Sequence, residues 1–591
     1  MGLVDRSTRA LAAAFGRVPW QARIAAGVLI GLIGLVLVVR PFLSLAALVV
    51  LLAIALILQG VAELLRVDAA RPARTWGAVL AAIAWIVGGA LVLVWPALSI
   101  ASVTIIVGVG LIIAGLVGAI RAIRGDRDHR VAEALLGTAT VVLGALALTW
   151  PDVTVFVLAI VLGVRMVLFG IELVAIGIRH ARGRATDASA RPERAGGRGW
   201  VRTTGAVLAL VGCTALLLVS LSLGGTTRAD AFYDAPDEVP AEPGQLLRSE
   251  PFGRSIPAGA RAWRILYTTT DHAGEPALAS GLVVQPEGDQ PHPVIAWAHG
   301  TTGYATGCAP SLLPEPFVAG AFPDLDGALA EGWAVVATDY AGLGTAGPQP
   351  YLIGQGEGRS VLDAVRAAQQ LDDARLASET VLWGHSQGGH AALWAAGLAP
   401  DYAPELDLLG VAAMAPATDL PAFLGTMDES VVGAMFGSFA LAASADAYGD
   451  VERGAYVRPG ARIMMDEMER RCLTDPSTLV SLATSIVADQ PVWARSLSEG
   501  ALAERAAENV PTLPIAMPVL LAQGGADPLI TPALQDAYVA ARCAEGQQVD
   551  YRGYPGYDHM GVVTGDSPLL PELRAWSADM LAGLAPVDTC A

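Results

Sequence analysis

Three proline positions constrain this chain most. Pro41, Pro96 and Pro151 stand 55 residues apart, and the same step relates Gly60, Gly115 and Gly170, and again Gly34, Gly89 and Gly144. Three columns with one period mark three copies of one unit. Each copy holds two apolar runs joined by an X-Pro step, which reads as a helical hairpin with the proline at its tight turn. The glycines fall inside the runs, where small residues let membrane helices approach closely.

The apolar runs are roughly Ile24–Val39, Phe42–Gly60, Gly77–Trp95, Leu98–Ile120, Val131–Trp150, Val153–Gly177 and Gly205–Leu223. About 20 residues at ~1.5 Å rise cross a ~30 Å hydrocarbon layer, so seven spans are expected, six in hairpins and one alone. Composition agrees: 53% hydrophobic residues, 16% charged, and a mean hydropathy of +0.50. These values exclude a disordered chain and a nucleic-acid partner.

All 38 basic residues are arginines, and up to Gly225 there are 20 of them against 10 acids. Beyond Gly225, 18 arginines face 46 acids. With a cytoplasmic N-terminus, Arg6, Arg9, Arg17 and Arg23 lie inside, followed by the clusters Arg66–Arg74, Arg121–Arg130 and Arg179–Arg202. Among these loops the opposite side receives only Arg40. This is the positive-inside asymmetry. An odd number of spans then carries everything after Gly225 to the extracytoplasmic side of a multi-pass cell-membrane protein. No cleavable signal peptide is evident, so the first span is expected to act as an anchor.

The triplicated hairpin resembles the HdeD-like family of acid-resistance membrane proteins over roughly residues 20–180. The expected organisation is a six-span membrane domain at 1–180, a cytoplasmic loop at 181–200 and a seventh helix at 201–225. An acidic, Pro-rich linker follows at 226–245, and a soluble domain occupies 246–591.

In that soluble domain, short apolar runs alternate with amphipathic helical patterns, as in a mostly parallel sheet covered by helices. Candidate strands are Val294–Ala298, Ala334–Thr338, Thr380–Trp383, Gly410–Ala413, Pro518–Ala522 and Val549–Tyr554. Thr380–Trp383 runs into Gly384-His385-Ser386-Gln387-Gly388 and then a helical stretch. A Gly-x-Ser-x-Gly between strand and helix places the serine on a strained turn, with glycines where a Cβ would collide. Ser386 is therefore the candidate nucleophile, and the Gln387 N–H a candidate oxyanion donor.

A serine hydroxyl needs a base, which in the order Ser, acid, His must lie downstream. Of the eight histidines only His559 lies beyond His390, so elimination selects His559. The orienting acid should follow a strand and precede that histidine. Asp527, after Met517–Gln523 and a Gly-Gly-Ala turn, fits this role, and its rival Asp558 adjoins the base too closely in sequence to reach Nδ1. The second oxyanion donor is expected from His299-Gly300-Thr301-Thr302, at the backbone N–H of Thr301 or Thr302. His299 reads as a residue that orients this loop, and His385 and His390 are too close to the serine for proton transfer. No His/Cys/Asp cluster has metal spacing, and no phosphate loop appears.

These residues, with Arg264–Tyr267, Thr270-Asp271, Gly274, Pro286 and Asp339-Tyr340-Ala341-Gly342-Leu343-Gly344, resemble the secretory lipase family of α/β-hydrolases over roughly 245–585. The resemblance implies hydrolysis of carboxylic esters, often acylglycerols, through an acyl-enzyme and without a cofactor. Residues 419–509 interrupt the sheet with apolar-rich helical stretches and read as a helical cap. Cys213 falls in the seventh span. The remaining Cys308, Cys472, Cys543 and Cys590 suit two disulfides, of which the family implies Cys308–Cys472 and Cys543–Cys590.

The chain is thus expected to be a membrane-anchored ester hydrolase whose partners are membrane lipid and an ester substrate. The alternatives are an acyltransferase with the same triad, or a membrane stress-response or transport protein carrying a non-catalytic hydrolase fold.

Overall fold

The computed structural model describes residues 19–39, 96–124, 127–182, 199–223 and 227–590, apart from 429 and 488–490, with isolated positions between 57 and 90. Two compact units result, one of Met1–Leu223, Arg458–Met464 and Ile486–Val492, the other of Gly224–Val457, Met465–Ser485 and Trp493–Ala591.

The first unit is helical: α1 (Trp20–Val39), α2 (Pro96–Arg124), α3 (Arg127–Thr149), α4 (Pro151–Ala181) and α5 (Gly199–Leu223). Apart from those isolated positions, the second and third apolar runs, with Pro41, Gly60 and Gly89, lie outside the described residues. Pro96 and Pro151 open α2 and α4, at the first helical position where a missing N–H costs nothing. Only Trp150 separates α3 from α4.

The hairpin expectation fails at this turn. Beyond the junction, α3 and α4 hardly touch; α4 instead runs along α1, and α2 along α3. The glycines choose these partners. A Cβ on Gly27 would stand 2.7 Å from the carbonyl oxygen of Gly170, and one on Gly34 would stand 2.6 Å from that of Gly163. In the other pair, Gly115 would meet Gly137 O at 2.5 Å and Gly144 would meet Gly108 O at 2.7 Å. Gly27 and Gly34 precede Gly137 and Gly144 by two 55-residue steps, and Gly108 and Gly115 precede Gly163 and Gly170 by one. The same helix–helix contact is therefore used twice. The second helix of one repeat pairs with the first helix of the next, and the last closes back on α1.

Among the described residues, Arg130–Thr149 and Thr203–Ser222 are the helices long and apolar enough to cross a membrane, with mean hydropathies of 1.9 and 2.2. The outward faces of the five helices carry exposed Leu29, Ile105, Leu136, Leu168 and Leu208.

The second unit has an α/β-hydrolase-like fold around a nine-stranded sheet ordered β1-β2-β3-β5-β4-β6-β7-β8-β9. Strands β4 (His292–Ala298), β5 (Ala334–Ala341), β6 (Leu376–His385), β7 (Asp407–Met414), β8 (Val519–Gly524) and β9 (Asp550–Tyr554) are parallel. An antiparallel flank adds β1 (Leu246–Phe252), β2 (Ala260–Thr270) and β3 (Pro276–Pro286), which were not anticipated as strands. On one face, α6 (Gly354–Ala368) and α7 (Gln387–Tyr402) bury Leu362, Val365 and Leu393 in a common core with Leu382. On the other, the helix Leu569–Leu581 packs Leu573 and Trp576 against Trp297 and Trp383, and Trp383 Nε1 donates to Ser577 Oγ at 3.0 Å.

The segment read as a linker does not run free. Phe232 and Tyr233 are buried in the hydrolase core, Tyr233 Oη is 2.8 Å from Ser311 Oγ, and Arg264 pairs with Asp230 at 2.9 Å. Its two aromatics supply the apolar anchor that an acidic, Pro-rich composition obscures. Between β7 and β8 the insertion forms helices including Leu420–Thr426, Val431–Ala447, Thr478–Val487 and Gly500–Glu508.

Candidate active site

The elbow is built by exclusion of side chains. Ser386 sits at φ 57°, ψ −119°, between the end of β6 and the first residue of α7. Such a backbone is costly for a residue with a Cβ and persists only where its surroundings impose it. A Cβ on Gly384 would lie 2.0 Å from Gly388 O, and one on Gly388 would lie 1.9 Å from Ala298 O. Only glycine fits at either position.

Three distant side chains converge here. His559, on the loop after β9, places Nε2 2.9 Å from Ser386 Oγ and Nδ1 2.7 Å from Asp527 Oδ2. Asp527, on the turn after β8, is held in place by donors: its Oδ1 accepts from the N–H groups of Leu529 (2.8 Å) and Ile530 (2.9 Å). Gln523 Nε2 donates to Oδ2 at 3.1 Å. Carboxylate, imidazole and hydroxyl thus form one hydrogen-bonded line, the geometry that moves a proton from hydroxyl to ring and leaves a stabilised imidazolium. Asp558, the sequence rival, accepts from Gly561 N at 2.7 Å and shapes its own loop instead.

The loop after β4 lies against the elbow. A Cβ on Gly300 would be 3.8 Å from Ser386 Cβ. Thr301 Oγ1 is 3.0 Å from Tyr351 Oη, Thr302 Oγ1 donates to Cys308 O at 2.8 Å, and Thr302 O accepts from Leu473 N at 2.8 Å. Both hydroxyls are thereby engaged within the loop's own scaffold. Gln387 begins α7, at a helix end where N–H groups lack intrahelical acceptors. His299 supports the loop: its Nδ1 is 2.6 Å from Gly300 O, and Tyr340 Oη donates to His299 O at 3.0 Å. Burial pushes His299 down to about 4, so the ring is neutral at ordinary pH.

His385 is also buried, and burial followed by the neighbouring His559 pushes it down to about 3. Its Nε2 lies 2.9 Å from the carbonyl oxygen of His559, so this neutral ring donates to the backbone of His559. No sequence signal marks that contact.

Two disulfides brace the site's surroundings. Cys308–Cys472 ties the loop after β4 to the insertion, with Cα atoms 5.2 Å apart, and Cys543–Cys590 ties the helix Pro532–Ala544 to the C-terminal segment, at 5.3 Å. Cys213 is free. The insertion reaches the site through the helix Val431–Ala447, where Phe439 packs edge-on against Tyr351 at 5.9 Å and Asp446 accepts from Tyr304 Oη at 2.7 Å. No group of three or more His, Cys, Asp or Glu residues suited to hold a metal ion occurs among the described residues.

The second unit thus has an α/β-hydrolase-like fold with a serine–histidine–aspartate line at its elbow. Residues 324–588 match the secretory lipase family, and residues 25–93, 80–137 and 135–217 match a short repeat of unknown function, DUF308. The chain is 28% identical to Lipase 6 of Candida albicans, over 48% of this chain and 68% of that protein. It is 33% identical to a Mycobacterium tuberculosis protein named "Probable inactive lipase MT1628", over 32% of this chain and 46% of that one. Among solved structures it resembles Candida antarctica lipase A, with a TM-score of 0.51 and 21% identity over 61% of this chain and 87% of that one.

Proposed function

We propose that the second unit hydrolyses carboxylic esters, with Ser386 as nucleophile. Ser386 Oγ attacks the ester carbonyl carbon while its proton passes to His559 Nε2. Asp527 holds the ring in the tautomer with hydrogen on Nδ1 and stabilises the imidazolium. The tetrahedral oxyanion is held by the N–H of Gln387 and of Thr301 or Thr302. His559 then protonates the departing alkoxide, leaving Ser386 acylated. Water attacks the acyl carbon, giving its proton to His559, and the acid leaves as Ser386 recovers its hydrogen. The observation that carries this reading is the unbroken line from Asp527 to Ser386 through one imidazole.

The names of the relatives point to lipid esters as the substrate class. The first unit, read as an HdeD-like six-span domain plus a seventh span, tethers the enzyme to the membrane with its N-terminus inside and residues 226–591 outside. Apolar side chains exposed on all five described helices support membrane insertion, because a water-soluble unit rarely leaves so many uncovered, and the arginine asymmetry supports the orientation.

One relative is named as inactive, which favours a second reading: a hydrolase fold that binds without reacting. Fluorophosphonate labelling of the full chain separates the two. An adduct lost in Ser386→Ala, with nitrophenyl-ester hydrolysis lost in parallel, supports the enzyme. Folded protein that takes no label supports the binding module.

A further inference from the structure

One buried carboxylate near the elbow has no part in the proton line. Glu357, on α6, is fully buried, and both its oxygens are occupied. Its Oε1 accepts from Gln387 Nε2 at 2.7 Å and from Leu352 N at 2.9 Å. Its Oε2 lies 2.8 Å from His390 Nδ1, and His390 Nε2 lies 2.8 Å from the carbonyl oxygen of Asn509. That carbonyl can only accept, so Nε2 carries a hydrogen and one further proton bridges Nδ1 and Oε2.

Two of its three arms lead to the candidate oxyanion hole. The first holds the side chain of Gln387, whose own N–H is one candidate donor. Gln387 Oε1 has no hydrogen-bond partner among the described residues, so Glu357 is the anchor of that side chain. The second arm fixes Leu352, a non-glycine residue held at φ 57°, a conformation that needs an outside restraint. Tyr351, the preceding residue, is hydrogen-bonded to Thr301 on the opposite wall of the hole. The third arm reaches the foot of the insertion, since Asn509 Oδ1 accepts from Gly354 N at 2.9 Å and Asn509 Nδ2 donates to Tyr448 Oη at 2.9 Å. A carboxylate buried only to stabilise the fold has no need to meet both walls of one site, and an apolar residue of similar size often serves as well.

We infer that Glu357, backed by His390, is a positioning residue that sets the two walls of the oxyanion hole at their working separation. This inference rests on the hydrolase reading above. Its signature is a loss that falls on kcat, because the hole meets its charge only in the transition state.

The test uses the full chain in detergent, with nitrophenyl butyrate as substrate and fluorophosphonate labelling as a separate readout. Wild type that neither labels nor hydrolyses refutes the hydrolase reading itself. With active wild type, Glu357→Ala is expected to lower kcat by about 100-fold with KM changed less than threefold, the range seen when one oxyanion donor is lost. Glu357→Gln keeps the acceptor for Leu352 and Gln387 and can donate to a neutral His390, so it should recover kcat to within tenfold of wild type. Should Glu357→Ala fail to fold, Gln387→Ala carries the test, since it keeps the N–H and removes only the anchor. Its expected loss is tenfold or more in kcat. Retention of kcat within twofold of wild type in folded Glu357→Ala or Gln387→Ala overturns the inference, as does a loss confined to KM.

Discussion

His559 Nε2 stands 2.9 Å from Ser386 Oγ across a sequence separation of 173 residues. Two parallel strands make that meeting possible, because β6 and β9 both end at the same edge of the sheet and release their loops there. The contact is at proton-transfer distance.

Removing either partner should therefore abolish turnover while leaving the fold intact. Ser386→Ala and His559→Ala are expected to lower kcat on the order of 10⁴-fold or more, and the double variant to lose little beyond either alone. Asp527→Asn should cost about 10³- to 10⁴-fold, because the amide no longer fixes the tautomer. Asp558→Ala should change kcat less than threefold. Steady-state kinetics on the five variants checks this, and an Asp558→Ala loss as deep as that of Asp527→Asn would reassign the acid.

A pH effect on stability follows from Asp339. Burial pushes its carboxyl up from 3.8 to about 6, although Ser280 and Ser311 donate to it and pull the other way. A carboxyl raised on folding contributes stability below its unfolded value and loses that contribution as pH rises through the folded one. The window thus runs from 3.8 to about 6. Asp339→Asn keeps an acceptor for Ser311 N and carries no charge to desolvate. Its melting temperature relative to wild type should climb between about pH 4 and pH 7. A pH-independent offset would contradict the assignment.

The line from Asp527 through His559 to Ser386 was legible because each member had a separate sequence signal. Ser386 had glycines whose absent Cβ atoms the fold requires, His559 was the last histidine remaining, and Asp527 followed an apolar strand. Glu357 had none of these. It is one of two acids on an amphipathic helix, and its partners Gln387 and His390 become neighbours only when α6 packs on α7. The antiparallel flank escaped for a related reason: Arg261 and Arg264 interrupt the apolar pattern of β2, and Arg264 is paired on the surface with Asp230 and Glu250. In the first unit, the 55-residue period exposed the repeat but not its pairing. A period states which positions are equivalent, whereas partners depend on which faces carry the glycines.

The two disulfides should differ in what they control. Their sequence separations of 164 and 47 residues predict similar chain-entropy contributions, roughly 5 and 4 kcal/mol. Thermal stability alone will hardly tell them apart. Cys308–Cys472, however, holds the loop of Thr301 and Thr302, and Leu473 N donates to Thr302 O beside it. Paired serine substitutions at Cys308 and Cys472 should lower kcat by tenfold or more. The same change at Cys543 and Cys590 should lower the melting temperature with kcat within twofold. Equal kinetic losses in both variants would detach the first disulfide from the oxyanion loop.

The helix pairing of the first unit makes the last prediction. Gly170 on α4 and Gly115 on α2 each face a neighbouring backbone that a Cβ would approach at 2.5 Å. Gly205 on α5 meets nothing within 4 Å. All three sit in apolar helices and all gain hydrophobicity when changed to leucine, so membrane partitioning favours each variant alike. Backbone approach is what distinguishes them, since small residues are what permit helices to pack where lipid competes for every apolar surface. Gly170→Leu and Gly115→Leu should therefore lower the unfolding temperature in detergent by several degrees, while Gly205→Leu leaves it unchanged. The equivalence of the two contacts adds a stricter condition: the Gly170 and Gly115 variants should lose stability to a similar extent. A large loss in one and none in the other would mean that the repeated glycine step does not reflect a repeated interface.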